Sequence, residues 1–88
     1  MAEPKNYLTQ PISLDQAAQY QIEVQGRLDQ KWSAAFDGMT MASETTSSGL
    51  TVTRLCGTMS DQAALHGMLN HVRDLGLPLL LVKYLGIL

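Results

Sequence analysis

The stretch QYQIEVQGRL, residues 19–28, decides the fold of this chain. Apolar side chains at positions 20, 22, 24 and 28 alternate with polar ones at 19, 21, 23, 25 and 27. This period of two predicts a β-strand with one buried face and one wet face. Such strands are typical of an antiparallel sheet that is covered on one side only.

A short helix is predicted after this strand, between Asp29 and Gly38. Asp29 is placed to accept hydrogen bonds from the first amides of a helix. Trp32, Ala35 and Phe36 form an apolar stripe at spacing i, i+3, i+4. Glycine tolerates the left-handed conformation that closes a helix, so Gly38 is the predicted end.

A β-hairpin is predicted next, with arms at 39–45 and 50–59 around the small polar loop TSSG, residues 46–49. Leu50 and Val52 share one face of the second arm, but Leu55 has the opposite parity. Two explanations stay open for this change of parity. Either a bulge lies near Arg54, or both faces are partly covered.

A second helix is the strongest local signal in the sequence. Ser60 is its predicted N-cap, and Asp61 favours the positive end of the helix dipole. Gly76 and Pro78 end the helix. Its apolar stripe has helical spacing and comprises Ala64, Leu65, Met68, Leu69, Val72 and Leu75.

The last strand is predicted over 79–88. Leu79 to Val82 form an unbroken apolar run, which predicts burial on both faces. The order β-α-β-β-α-β predicts an α+β, ferredoxin-like sandwich: a four-stranded antiparallel sheet with two helices on one face and strands two and four at its edges. Residues 1–18 are predicted to be a flexible N-terminal arm, and 19–88 a single domain.

Composition and charge exclude several classes of protein. The 88 residues carry six Lys or Arg against eight Asp or Glu, a net charge of −2, and 45% are apolar. A chain this apolar is not disordered, and its charge argues against a nucleic-acid partner. No apolar run reaches the ~18 residues of a spanning helix, and MAEPKNYLTQP has no signal core, so no membrane association is expected. The single Cys56 cannot form an internal disulfide, which predicts a cytoplasmic protein.

Two separated stretches carry a resemblance. They are DQAALHGML, residues 61–69, continuing to VRDLGLPL at 72–79, and GRLD at 26–29 followed by Trp32 and by FDG at 36–38. Together they resemble a widespread group of small, uncharacterised bacterial proteins over residues 20 to about 82. The resemblance implies a bacterial protein and supports the fold, but it implies no activity.

The polar flank of the second helix is the candidate ligand or partner site. His66, Asn70 and Arg73 lie at i, i+4 and i+7, off the apolar stripe. Gly67 is unusual inside a strong helix, where it costs about 1 kcal/mol against alanine. It predicts either close approach by another backbone or a tolerated surface position. The competing interpretation of the flank is an ordinary solvated helix face.

No cofactor, metal or catalytic group is expected. His66 and His71 are five residues apart, so their rings diverge around the helix and do not converge on one ion. Cys56 has no sequence neighbour that would activate a thiolate, and a lone cysteine in a strand is more often a small hydrophobe.

The apolar last strand is the predicted oligomer interface. An apolar edge strand left uncovered promotes aggregation, so a second copy is expected to cover it. The alternative is that the N-terminal arm folds over the strand through Ile12 and Leu14. The predicted interface residues are Leu79, Leu81, Tyr84, Leu85 and Ile87.

These features favour a non-catalytic binding or assembly module. It would form a homo-oligomer through its last strand or open sheet face and contact a protein partner by its second helix. A second hypothesis is a small-molecule sensor whose ligand lies between subunits near residues 26–29. A third is a dimeric α+β barrel enzyme using Trp32, His66 or His71, although no geometric reason selects them.

Overall fold

A computed structural model describes residues 13–28 and 39–87 of the chain. The elements are β1 (Ala18–Gln25), β2 (Met39–Thr45), β3 (Thr51–Met59), α1 (Gln62–Asp74) and β4 (Leu79–Ile87). The strands form one sheet in the order β2-β3-β1-β4, and all neighbours are antiparallel. The predicted four-stranded antiparallel sheet, with its second and fourth strands at the edges, is therefore confirmed.

The predicted two-helix ferredoxin-like sandwich is wrong for the described residues, which contain one helix, α1, beside this sheet. The predicted first helix falls on 29–38, outside the described residues.

The core lies between α1 and one face of the sheet. The β1 alternation is confirmed, since Tyr20, Ile22 and Val24 are buried at even positions. The pairing of β1 with β3 runs in continuous register, so no bulge lies near Arg54 in this pair. The residues of β3 that face the core are those at odd positions, which include Leu55. Leu50, at an even position, is exposed. The buried side chains of β3 and α1 are Thr53, Leu55, Met59, Leu65, Met68 and Val72.

The start of α1 lies one residue later than predicted. Asp61, rather than Ser60, is the N-cap, and its side chain accepts a 2.7 Å hydrogen bond from the Ala64 amide. The Gln62 amide donates to the Leu14 carbonyl at 2.8 Å, which ties the segment before β1 to this end of the helix. Two of the amides that lack partners within the helix are thereby satisfied.

The end of α1 is where the sequence predicts it. Gly76 adopts a left-handed φ of 76°. Its amide donates to the Arg73 carbonyl, and the Leu77 amide donates to the Val72 carbonyl. This paired arrangement is the Schellman motif. It turns the chain sharply, so that β4 returns beside β1.

The strand β4 differs most from expectation. Burial on both faces is wrong, because β4 is an edge strand and most of its residues are exposed. Its register with β1 shifts twice, so that Leu80 and Leu85 have no opposite residue in β1. These two bulges leave a regular segment, Leu81 to Tyr84, between them.

Candidate functional site

The apolar surface of β4 is the most unusual feature of the described chain. Four of the six exposed large hydrophobic side chains lie on this strand: Leu79 at 48%, Leu80 at 50%, Val82 at 40% and Leu85 at 44%. We call these four residues the β4 surface. The opposite edge strand, β2, instead exposes small or polar residues such as Thr40, Ser43 and Glu44. The two edges of the sheet are therefore chemically distinct.

The structure distributes the predicted interface residues over both faces of the sheet. Leu79 and Leu85 belong to the β4 surface, whereas Leu81, Tyr84 and Ile87 are half-buried. Leu81 lies opposite Glu23 on the face away from α1, because Glu23 has the parity opposite to the β1 core residues.

Tyr84 lies on the edge strand, but its side chain packs against the core. It lies opposite Tyr20 on the α1 side of the sheet, and the two rings meet edge to face with centroids 5.8 Å apart. Leu80 and Val82 are the members of the β4 surface that the predicted interface omitted. In the sequence, both residues are visible only as members of the apolar run from Leu79 to Val82. Their exposure could not be predicted from that run, because it depends on where the bulges of β4 lie.

A groove of about 440 Å³ joins α1 to the start of β4. Arg73 from the predicted helix flank and Leu79 from the predicted interface both line it, so the structure brings these two residue sets together there. The other lining residues are Leu69, Val72, Gly76, Leu77 and Pro78. The groove is thus mainly apolar, with one guanidinium at its border.

The remainder of the predicted helix flank is exposed on α1. His66, Gly67, Asn70 and Arg73 all face solvent, and Arg73 makes an exposed 3.4 Å contact with Asp74. A Cβ built on Gly67 would have nothing within 4 Å. Within residues 13–28 and 39–87, therefore, no close backbone requires glycine at that position.

The open face of the sheet, away from α1, carries a charged cluster. Arg54 Nε donates to Glu23 Oε1 at 2.9 Å, and the guanidinium lies 3.6 Å from Glu44. The hydrogen bond and charge of Glu23 raise the pKa of Arg54 above its usual value. Arg54 joins three strands on this face, which makes the face polar and internally paired.

Three backbone groups of the turn after β1 are hydrogen-bonded within the chain. The Gly26 amide donates to the Thr51 carbonyl, and the Gly26 carbonyl accepts from Thr53 Oγ1 at 2.7 Å. The Leu28 amide also donates to Thr53 Oγ1. The described part of the predicted sensor loop is thus a structural turn, and Asp29 lies outside the described residues.

Among residues 13–28 and 39–87, no cluster of three or more histidine, cysteine or acidic side chains is arranged to hold a metal ion. The described helix is not long and apolar enough to cross a membrane. Cys56 is a half-buried thiol on β3.

The fold and surface define a small α+β domain with an apolar edge strand. The chain belongs to the family described as a domain of unknown function, DUF8691, whose model matches residues 19–83. This match includes both stretches that carry the resemblance noted above. Neither the curated proteins nor the solved structures contain a match to this chain.

Proposed function

We propose that this protein is a non-catalytic assembly module of the bacterial cytoplasm that self-associates through β4. The observation that carries the proposal is the β4 surface, a row of four exposed hydrophobic side chains on an edge strand. Native proteins usually protect such edges with charge, proline or a covering element. Contiguous exposed apolar residues are typical of interaction sites.

A second copy of the chain is the proposed cover for this edge. Most soluble oligomers are symmetric homo-oligomers, and an edge strand is able to pair with its own copy. The described part of the N-terminal segment supports this choice over intramolecular cover, because Leu14 is 79% exposed. The open sheet face is the less favourable surface, because Arg54, Glu23 and Glu44 already satisfy one another there.

The contact with a protein partner is proposed at α1 and its groove. Arg73 borders an apolar depression that begins at Leu69 and ends at Leu79. Apolar anchors beside an arginine are common in protein interfaces. His66 and Asn70 extend the same exposed flank toward the start of the helix.

The test is the mass of the native protein and of three lysine variants, measured by native mass spectrometry and size-exclusion chromatography at one concentration. We expect an oligomer for the native chain and a monomer for Leu81→Lys and Leu85→Lys, because each adds an ammonium group to the pairing strand β4, Leu85→Lys within the β4 surface itself. Leu50→Lys is the matched control. Leu50 is as exposed as Leu80, but it lies in the β2–β3 loop.

The outcome separates the hypotheses. A monomeric native chain would contradict self-association altogether. An oligomer that survives both β4 variants but is lost in Leu50→Lys would place the interface elsewhere. A reproducible small adduct on the native mass would favour a ligand-binding role over a purely structural one.

A further inference from the structure

We infer that the second copy pairs with β4 in antiparallel register about a two-fold axis at Val82, which makes one continuous eight-stranded sheet. This inference rests on the proposed self-association and specifies its geometry. The partner is a second copy of this chain, and the contact surface is the regular segment Leu81 to Tyr84 between the two bulges.

The hydrogen-bond pattern shows which backbone groups of β4 face outward. The Gln25 amide points toward β4 and donates to the carbonyl of Pro78, which directly precedes β4. The next amide, that of Gly26, points the other way and donates to the Thr51 carbonyl on β3. Backbone groups alternate direction along a strand, so Glu23 and Gln21 also direct theirs toward β4. Their opposite residues are Leu81 and Lys83. The amide and carbonyl of the intervening Val82 therefore point to the outer edge.

Symmetry restricts the register to a few choices. Residues that lie opposite each other in a sheet project from the same face. Two identical antiparallel strands meet this condition only when the two-fold axis passes through a residue. An axis at Leu81 or at Tyr84 would leave only that one residue opposite a residue of the same regular segment, whereas an axis at Val82 or Lys83 gives three such residues. The regular segment thus favours an axis at Val82 or at Lys83.

The charge of Lys83 distinguishes the axis at Val82 from the axis at Lys83. An axis at Lys83 would place two ammonium groups directly opposite each other, and like charges in that position are destabilising. An axis at Val82 instead places Lys83 of the second copy opposite Leu81. Because Glu23 is the β1 neighbour of Leu81 on the same face, this register also brings Lys83 of the second copy toward a carboxylate.

The register also matches the apolar residues of the edge. Val82, which is 40% exposed in the single chain, would lie opposite Val82 of the second copy. β-Branched cross-strand pairs are favourable in sheets, and this pair would remove apolar surface from water.

Disulfide trapping tests the axis while Lys83 is retained. In a Cys56→Ser background, Val82→Cys places two thiols in a directly opposed pair with Cα atoms ~5.5 Å apart, within the ~4.4–6.8 Å that a disulfide spans. We expect oxidation to convert most of this variant into a covalent dimer. Leu81→Cys is the matched control, because its two copies would be ~8 Å apart by strand spacing and rise, beyond disulfide reach.

A second measurement uses the unmodified chain. In a sample mixed from isotope-labelled and unlabelled protein, we expect intermolecular nuclear Overhauser contacts between the Hα atoms of Leu81 and Lys83. Contacts between Lys83 and Lys83, or a covalent dimer of Leu81→Cys without one of Val82→Cys, would overturn the inference. An oligomeric mass with none of these signals would overturn the register alone. A monomeric mass would overturn the proposed self-association as well.

Discussion

Thr53 on β3 supports the sharpest prediction about stability. Its side chain is fully buried, and Oγ1 has three hydrogen-bond partners. It donates to the Gly26 carbonyl at 2.7 Å, and it accepts from the Leu28 amide at 3.3 Å. Because a hydroxyl has one proton, the 2.9 Å contact with Ser43 Oγ must be donated by Ser43. The hydroxyl therefore uses its single donor and both acceptor positions.

Replacing Thr53 with valine removes these bonds while nearly keeping the side-chain volume. The change leaves the amide of Leu28, a residue only 5% exposed, without its acceptor. A buried polar group deprived of its partner costs ~1–3 kcal/mol. Gly26 is half-buried, so water is able to replace part of its bond. We therefore expect Thr53→Val to lower the free energy of unfolding by about 2 kcal/mol.

Two matched variants separate the hydroxyl from packing. Thr53→Ser keeps the hydroxyl and loses one methyl group, so we expect a loss of about 1 kcal/mol. Ser43→Ala removes only the outer donor, and we expect about 0.5 kcal/mol or less. Both are expected to preserve the bonds to Gly26 and Leu28.

Urea unfolding at one protein concentration is the assay, with amide hydrogen exchange of Leu28 as the local readout. A fixed concentration is needed because self-association would stabilise the folded state by mass action. For a domain of this size, 2 kcal/mol corresponds to a fall in Tm of about 8–16 °C. A valine variant as stable as the serine variant, with Leu28 still protected, would refute the reasoning.

Two further predictions concern α1. Gly67→Ala is expected to raise the free energy of unfolding by about 0.8–1.0 kcal/mol in urea, because alanine is the better helix former and the added Cβ meets nothing within 4 Å. A loss of stability or of native mass would instead show that another backbone lies against Gly67. Asp61→Ala is expected to lower the free energy of unfolding by about 1 kcal/mol, because the Ala64 amide loses its cap. Asp61→Asn retains the acceptor, and an equal loss in this control would contradict the capping role.

The bulges of β4 give its edge a selective character. Leu80 and Leu85 interrupt the pairing with β1 on either side of a short regular segment. Edge bulges limit indiscriminate pairing, because a long partner strand cannot follow a bent edge. The proposed partner, a second copy of the chain, has the same bends in its own β4.

Part of the candidate site could be predicted from sequence. The apolar run at the start of β4 points to Leu79 and the apolar end of the strand points to Leu85, and both are exposed. The helical spacing of His66, Asn70 and Arg73 placed them on a flank outside the core, and all three are exposed. Val82 and Leu80 were missed, because a run without alternation does not show which residue occupies which face.

By itself, the sequence determined the elements with strong local chemistry. Strict alternation predicts β1, and the small polar loop predicts the hairpin of β2 and β3. The N-cap, the apolar stripe, Gly76 and Pro78 together predict α1, because each of these signals acts within a few residues.

Tertiary structure decided the features that depend on distant neighbours. In the sequence, Thr53 looks like an ordinary strand residue. Its hydroxyl becomes a buried hydrogen-bond partner of Gly26 and Leu28 only because β1 and the turn after it lie beside β3. The apolar run of β4 predicts core residues, yet the strand order places these leucines at an edge of the sheet. The physical reason is that apolar character measures a preference for burial, whereas burial itself is set by which strands and helices lie beside the residue.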